Sequence, residues 1–168
     1  FLKNNKNCYE EYYNLVIGRC KLCGISQLLF HPKKEKIFRE DYSYFTGVNQ
    51  PMIKHFREIS DEIKQNFLDK DDLVVEIGSN DGTFLENFYD YKHVGVEPSK
   101  SVAIEAQKKN INIIINFFNK STAEKIIHRY KKATIIFAAN VIGHVEEIDM
   151  FFQGVKKLLS ENGIFIFE

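Results

Sequence analysis

The sequence has no excess of either charge, because Lys and Arg total 23 and Asp and Glu also total 23. Net charge therefore gives no support for a polyanion-binding surface, and a nucleic-acid partner is not expected. No apolar run approaches the roughly 20 residues that a membrane-spanning helix needs, and no signal-peptide pattern opens the chain. These absences predict a soluble, cytoplasmic protein that acts on a small molecule and has no membrane partner.

The chain is long enough for one well-packed domain with a small appendage, since 44% of its 168 residues are hydrophobic. It opens with Phe1 rather than Met, and it closes with an apolar run at residues 164–167 that is typical of a buried strand. A strand at the end of a chain leaves its sheet without whatever continues or covers it. We therefore expect a fragment of a longer polypeptide.

Three segments differ in their sequence pattern. Residues 1–48 contain all three cysteines and a group of tyrosines, which predicts a small module of short strands and loops. In residues 49–70, apolar side chains recur every three or four positions between Pro51 and Phe67, which indicates one linking helix. Residues 71–168 then alternate between short apolar strands and amphipathic helices.

This alternation predicts an α/β fold with a parallel sheet covered on both faces. Ser99 and Ser121 have the residue type of helix N-caps, and Gly163 marks the turn into the last strand. We predict strands at residues 73–77, 93–97, 112–115, 134–138 and 164–167, and helices from Gly82, at 99–110, at 121–131 and at 147–159.

Two nucleotide signatures are missing from the turn after the first of these strands. The turn contains neither G-x-G-x-x-G nor G-x-x-x-x-G-K-[ST], which argues against NAD and ATP. The sequence instead has E-x-G-x-x-x-G, with Glu76, Gly78 and Gly82 at the fixed positions and Ser79 and Asn80 between the glycines. This pattern resembles the first motif of class I S-adenosylmethionine-dependent methyltransferases, although a plain strand-to-helix turn also accommodates it. The first turn of the helix predicted from Gly82 would offer N–H groups to a carboxylate.

Polar or aromatic residues follow each of the next three strands. Glu97 ends the second strand, where a ribose hydroxyl pair needs an acceptor, but it also suits a helix-cap carboxylate before Ser99. Phe117 and Phe118 follow the third strand and fit either an adenine wall or the core. Asn140 and His144 follow the fourth, where the amide offers a donor and an acceptor. The imidazole there is either a base near the methyl donor or a structural side chain.

Cys20 and Cys23 form a C-x-x-C-G turn, which has the shape of a zinc knuckle with two thiolates on one ion. Cys8 and His31 are the nearby additions, and their spacing does not complete a four-ligand site. Ordinary thiols are the alternative. A thioredoxin-like redox site is disfavoured, because the motif does not open a helix after a strand.

The motifs in order resemble the nucleotide-sugar C-methyltransferases. The order is C-x-x-C-G-x-x-Q-L, I-F-x-x-D-Y-x-Y-F-[ST], a helix with a histidine, V-E-I-G-S-N-D-G-T and A-N-V-x-x-H-V, over about residues 13–168. The resemblance implies a zinc-binding N-terminal domain, a Rossmann-like methyltransferase domain and a C-terminal domain with catalytic groups. It also implies that a second cysteine pair and the catalytic His and Glu lie beyond the two ends of this chain. The chain alone is then expected to be inactive.

The resemblance also implies roles for individual residues. Tyr42 and Tyr44 face the active site, although packing between module and core is an equal alternative. Zinc lies at Cys20 and Cys23. The implied cofactor contacts are Glu76, Gly78, Asn80, Gly82, Glu97, Phe118 and Asn140, and Ser79 lies within the same loop.

The function expected from this resemblance is methyl transfer from S-adenosylmethionine to a carbon of a nucleotide-linked deoxy keto sugar. Deprotonation beside the keto group would give an enolate that attacks the methyl group. Two alternatives stay open: an O- or N-methyltransferase acting on another small metabolite, and a non-catalytic partner that only binds ligand.

Overall fold

The computed structural model describes residues 12–168 and divides into two compact units. The smaller unit ends at Ile37, and the larger comprises Phe38–Glu168. Residues 38–48, which the composition assigns to the cysteine module, lie in the larger unit. Cys8 lies outside the described residues. No helix within residues 12–168 is long and apolar enough to cross a membrane.

The smaller unit is built on a two-stranded antiparallel sheet. Strand β1 (Ile17–Arg19) pairs with β2 (Ser26–Leu28), and a short helix, α1 (Lys34–Ile37), follows. The connecting turn closes through a hydrogen bond of 3.0 Å from the Gly24 N–H to the Cys20 carbonyl. Gly24 has φ 76°, a left-handed conformation in which glycine carries no Cβ penalty.

The larger unit is built on a five-stranded parallel sheet, which confirms the predicted fold class. The strands lie in the order β5-β4-β3-β6-β7, so β3 is central. Every residue of β3 is buried, as expected for a strand covered on both faces. The strands are β3 (Leu73–Ile77), β4 (Lys92–Val96), β5 (Ile113–Ile114), β6 (Ala133–Ala138) and β7 (Leu159–Phe167).

Four α-helices connect or flank these strands, and of the two predicted N-caps, Ser99 is confirmed in position and Ser121 is wrong. Ser99 holds the N-cap position of α3, but its side chain makes no capping hydrogen bond. The cap of α4 is Asn119 rather than Ser121, because the Asn119 side chain accepts a hydrogen bond of 2.9 Å from the Thr122 N–H. The helices are α2 (Gln50–Phe67), α3 (Lys100–Lys108), α4 (Lys120–Arg129) and α5 (Ile148–Leu158).

The helix predicted from Gly82 is wrong. Turns follow that glycine. Between Gly82 and β4, the only regular element is a single 3-10 turn at Leu85–Phe88. The Asn87 side-chain amide donates to the carbonyls of Thr83 and Phe84, at 3.3 and 2.9 Å. In an α-helix the backbone N–H groups four residues later would take those carbonyls, so the side chain competes with helix formation.

The start of the last strand also differs from the prediction. β7 begins at Leu159, which pairs with Ala133, and the register shifts before Ile164 pairs with Ile135. Gly163 lies inside this irregular part of the strand. A Cβ there would come within 2.8 Å of the Ala133 carbonyl oxygen, so the close backbone approach requires glycine.

Apolar side chains cover both faces of the sheet. Alternate residues of β3 point to opposite faces, so Leu73, Val75 and Ile77 pack with α4 and α5, while Val74 packs with α2 and the 3-10 turn. On the second face the rings of Phe84 and Phe137 stack with centroids 4.0 Å apart. Glu76 lies in phase with Val74, which directs its carboxyl group to the second face, where β3 ends.

Candidate functional site

The carboxyl ends of β3 and β4 meet at a sharply bent loop, residues 78–83, which we call the cofactor loop. Gly78, Asn80 and Gly82 have φ values of 72°, 48° and 77°, all in the left-handed region. The N–H groups of Gly78 and Ser79 both donate to the Val96 carbonyl, at 2.8 and 3.3 Å. The bend is thereby attached to the end of the neighbouring strand.

Glu97 lies against this loop, as the parallel topology predicts. One carboxylate oxygen accepts a hydrogen bond of 2.9 Å from the Asn80 N–H, and the other accepts one of 2.7 Å from the Ser99 N–H. The second contact is the bond expected of a helix-cap carboxylate. The pKa of Glu97 is raised because burial disfavours the charged form, and the hydrogen bonds from Ser99 and Asn80 oppose that effect. The oxygen that accepts from Asn80 has a second lone pair, with which it could accept from a ligand hydroxyl.

Glu76 lies deeper in the same place and is only 3% exposed. Its pKa is raised well above the ordinary value, first because it is buried and then because the carboxylates of Glu97 and Asp81 are close. Within residues 12–168, the Glu76 Oε2 and the Ser79 Oγ are buried and lack a hydrogen-bond partner. Buried polar atoms are normally paired, so these two atoms indicate a place where a polar ligand group is accommodated.

Residues 40–47, which we call the strap, bring the two predicted tyrosines to this site. The Tyr42 and Tyr44 carbonyls accept hydrogen bonds from the side chains of Ser101 and Asn80, at 2.7 and 3.0 Å. The pKa of Tyr42 is raised, first by burial and then by the negative charge of Glu97. Tyr44 is about half exposed. The backbone of both tyrosines is therefore attached beside the cofactor loop, and the role of their side chains stays a prediction.

The residues predicted after the third and fourth strands are less buried than Glu76 and Glu97. Phe118 is partly buried, with its ring 5.5 Å from that of Phe151, so at least part of it belongs to the core. Asn140 is exposed, with φ 56°, and His144 is exposed with its ring edge-on to Phe38 at 5.6 Å. The ring centroid of Phe38 also lies 6.5 Å from that of Phe117. Phe38 therefore contacts both the loop after β5 and the loop after β6.

The sequence patterns did not identify Asp81 or Ser101 as site residues. The Asp81 carboxylate is buried and accepts hydrogen bonds from the Gly47 N–H at 2.9 Å and the Thr83 hydroxyl at 2.6 Å. Ser101 donates to the Glu40 and Tyr42 carbonyls through its N–H and its hydroxyl. Asp81 could have been found from the sequence, because it is an acidic residue within a loop bounded by two glycines. Nothing local indicates Ser101, because its partner Tyr42 lies 59 residues earlier in the chain.

The cysteine pair lies in the smaller unit. Cys20 and Cys23 are unoxidised, and the pKa of Cys20 is lowered by hydrogen bonds from the backbone N–H groups of Cys23 and Leu22. Such donors favour a thiolate, which is the form that binds metal. Within residues 12–168 no group of three or more His, Cys, Asp or Glu side chains is placed to hold a metal ion.

A family model described as a methyltransferase domain matches residues 52–168, which include α2, the whole parallel sheet and the cofactor loop. The chain belongs to this methyltransferase family. Its sequence is 28% identical over 162 residues to C-methyltransferase NovU of Streptomyces niveus, and the match covers 95% of this chain. The chain spans only 38% of the length of NovU.

Solved structures share the fold of this methyltransferase domain. An S-adenosylmethionine-dependent methyltransferase from Clostridium acetobutylicum matches with a TM-score of 0.53 and 21% identity, covering 79% of this chain and 53% of its own. The plantazolicin methyltransferase BamL, in complex with a triazolic desmethylPZN analog and SAH, matches with a TM-score of 0.56 and 22% identity. That match covers 80% of this chain and 51% of BamL.

Proposed function

We propose that the cofactor loop and Glu97 bind S-adenosylmethionine. The observation that carries the proposal is the hydrogen bond between the Asn80 N–H and the Glu97 carboxylate, which joins the bend and the acidic strand end in one site. The residues present suit this cofactor, because Gly78 bends without a Cβ and Glu97 keeps acceptor capacity for ribose hydroxyls. The proposed contacts are Glu76, Gly78, Ser79, the backbone of Asn80, Gly82, Glu97, Phe118 and Asn140.

We further propose that the complete protein transfers a methyl group to a carbon of a nucleotide-linked deoxy keto sugar. The similarity to C-methyltransferase NovU over 95% of the chain supports carbon as the acceptor atom. The cofactor supplies an electrophilic methyl group on sulfur. A base would remove the proton beside the keto group, and the resulting carbanion would take the methyl group, leaving the electron pair of the methyl–sulfur bond on sulfur.

The residues of this chain would chiefly position the two reactants. Tyr42 and Tyr44 approach from the strap, and His144 approaches from the loop after β6, so these three side chains are the proposed contacts to the sugar. Holding the carbanion in line with the methyl group removes about 7 kcal/mol or more of the barrier.

A different acceptor is the second candidate. BamL shares the fold and carries a desmethylPZN analog rather than a sugar nucleotide, so the architecture alone does not fix the acceptor. An O- or N-methyltransferase would bind the cofactor through the same loop. A non-catalytic ligand-binding role is a further alternative, and it predicts cofactor affinity without turnover in the complete polypeptide.

We also propose that Cys20 and Cys23 contribute two ligands to a structural zinc ion. The lowered pKa of Cys20 and the tight turn closed by Gly24 suit thiolate coordination. A tetrahedral site needs two more ligands, which residues 12–168 do not bring to this turn. Metal analysis of the complete polypeptide tests this proposal, because zinc at less than half an equivalent would contradict it.

Glu97→Gln tests the cofactor proposal. Glutamine lacks the negative charge of the carboxylate and has one acceptor oxygen fewer. Affinity for S-adenosylhomocysteine should therefore fall about 10- to 100-fold in calorimetric titration. Glu161→Gln removes a carboxylate from an exposed position and should leave the affinity unchanged. Circular dichroism of both variants establishes that they are folded. Equal affinity of Glu97→Gln and the parent protein would contradict the ribose role.

The acceptor is tested by incubating the complete polypeptide with isotope-labelled S-adenosylmethionine and nucleoside-diphosphate keto sugars, beside hydroxyl- and amine-bearing acceptors. NMR of the product shows whether the label sits on carbon, oxygen or nitrogen. A new carbon–methyl bond on the sugar is the expected result. Label on oxygen or nitrogen would favour the second candidate.

A further inference from the structure

Asn80 uses its whole side chain to hold the strap. Its amide nitrogen donates to the Tyr44 carbonyl at 3.0 Å, and its amide oxygen accepts from the Thr46 N–H at 2.9 Å. Both groups of the carboxamide are therefore paired with backbone of a segment 34 to 36 residues earlier in the chain. The resemblance implies a cofactor contact at Asn80, but its side chain forms two hydrogen bonds with the strap backbone.

Asp81 makes a second attachment directly beside the first. Its carboxylate accepts from the Gly47 N–H at 2.9 Å and is fixed from the other side by the Thr83 hydroxyl at 2.6 Å. The side chain is only 6% exposed, so this charge-assisted hydrogen bond is shielded from water. A Cβ at Gly47 would lie 2.7 Å from the Asp81 Oδ2, so the strap backbone approaches the carboxylate as closely as glycine allows.

Ser101, in the first turn of α3, holds the other end of the strap. Its N–H donates to the Glu40 carbonyl at 2.9 Å, and its hydroxyl donates to the Tyr42 carbonyl at 2.7 Å. The strap therefore lies across the carboxyl ends of β3 and β4, with the Tyr42 carbonyl at one attachment and the Tyr44 carbonyl at the other.

We propose that Asn80 and Asp81 are positioning residues, whose side chains dock the strap on the cofactor loop and thereby place Tyr42 and Tyr44 over the site rather than contacting the cofactor. This inference rests on the proposed function for the identity of the ligand. The docking itself is a property of the ligand-free protein. Since the Asn80 N–H is bound to Glu97, a ligand held by Glu97 also fixes the residue that holds the strap.

Asn80→Gly isolates the contribution of the side chain. Glycine accepts the φ of 48° without strain and keeps the N–H bond to Glu97, while both bonds to the strap are lost. Asn110→Gly is the matched control, because Asn110 also has a left-handed φ, 62°, and is exposed at the end of α3. Each variant gains one glycine, so the added conformational entropy of the unfolded chain is similar in the two and cancels in the comparison.

Hydrogen exchange measured by mass spectrometry reports on docking directly. Peptides covering residues 42–48 should exchange about 10-fold faster in Asn80→Gly than in the parent, because the Thr46 N–H loses its acceptor. Peptides from β3 and β6 should be unchanged, and Asn110→Gly should match the parent at residues 42–48. Unchanged exchange at residues 42–48 in Asn80→Gly would overturn the proposal.

Adding S-adenosylhomocysteine separates this proposal from the proposed function. If Asn80→Gly exchanges faster at the strap and retains affinity within about 3-fold, the side chain docks the strap and does not bind the ligand. A loss of affinity with unchanged exchange in the free protein would make Asn80 a direct ligand contact and overturn the inference. Failure of the parent to bind S-adenosylhomocysteine would contradict the proposed function alone, because the exchange comparison needs no ligand.

Asp81 provides an independent check through a conservative variant. Asp81→Asn keeps an oxygen for the Gly47 N–H and a group able to donate to the Thr83 hydroxyl, whereas Asp81→Ala has neither. Strap exchange should rise about 10-fold in Asp81→Ala and by less than about 3-fold in Asp81→Asn. In the complete enzyme, kcat should fall in Asp81→Ala while the KM for the methyl donor changes little. Equal strap exchange in Asp81→Ala and the parent would overturn the role of Asp81.

Discussion

The two halves of the sheet's carboxyl edge are built differently. At the ends of β3 and β4, Glu76 and Glu97 are buried, and backbone N–H groups fix the cofactor loop to its neighbour strand. At the end of β6, Asn140 and His144 are exposed, and a Cβ at Gly143 would meet no atom within 4 Å. The first half is preorganised, and the second leaves space. This division fits a site that holds one cofactor tightly and leaves room for an acceptor.

The largest effect that tests this comparison is expected from adding one methyl group to each half. Gly78→Ala forces alanine into a φ of 72°, which costs about 1–2 kcal/mol, and its Cβ would lie 2.5 Å from Val141. We expect that loss of stability in urea unfolding, together with at least a 10-fold loss of S-adenosylhomocysteine affinity by calorimetry. The matched variant Gly143→Ala should change neither quantity. Equal losses in both variants would remove the difference between the halves.

Much of the preorganised half is encoded locally. The apolar runs that predict the five strands are confirmed, and parallel pairing alone brings Glu97 to the cofactor loop. The adjacency of Gly78 and Glu97 therefore follows from pattern and topology. The Val141 side chain in front of Gly78 does not, because it comes from a loop after a different strand.

Other features depend on side-chain competition or on distant partners, and the sequence patterns missed them. The turn at Leu85–Phe88 replaces a helix because Asn87 takes two backbone carbonyls. The start of α4 is set by Asn119, although Ser121 has an equally suitable residue type. The strap is bound by side chains more than 30 residues away, a contact that no local pattern indicates. The zinc ligands stay a prediction.

The second prediction sharpens the comparison through the buried carboxyl of Glu76. Its folded-state pKa lies above the ordinary 4.5, so between these two values the unfolded chain releases a proton that the folded protein keeps. Stability therefore falls as pH rises above about 4.5 and levels off above the folded-state pKa, at about 1.4 kcal/mol per pH unit in between.

Glu76→Gln removes this titration. Urea unfolding at pH 5, 6, 7 and 8 should show the variant gaining stability relative to the parent as pH rises. Glu97 and Asp81 are unchanged between the two proteins, so the difference between the two curves reports on the loss of the Glu76 carboxyl. Glu161→Gln, at an exposed position, should run parallel to the parent. Parallel curves for Glu76→Gln would mean that burial does not perturb this carboxyl.

The smallest effect is expected on the open half. His144 is exposed and packs only the edge of its ring against Phe38, so His144→Gln should change the free energy of unfolding by less than about 0.5 kcal/mol. Affinity for S-adenosylhomocysteine should stay within about 2-fold, because the His144 ring meets Phe38, and it is Phe38 that packs against Tyr42, with ring centroids 5.8 Å apart. His128→Gln, at the exposed end of α4, controls for the loss of a histidine. A loss above about 1 kcal/mol, or a 10-fold loss of affinity, would show that the β6 loop is as tightly built as the cofactor loop.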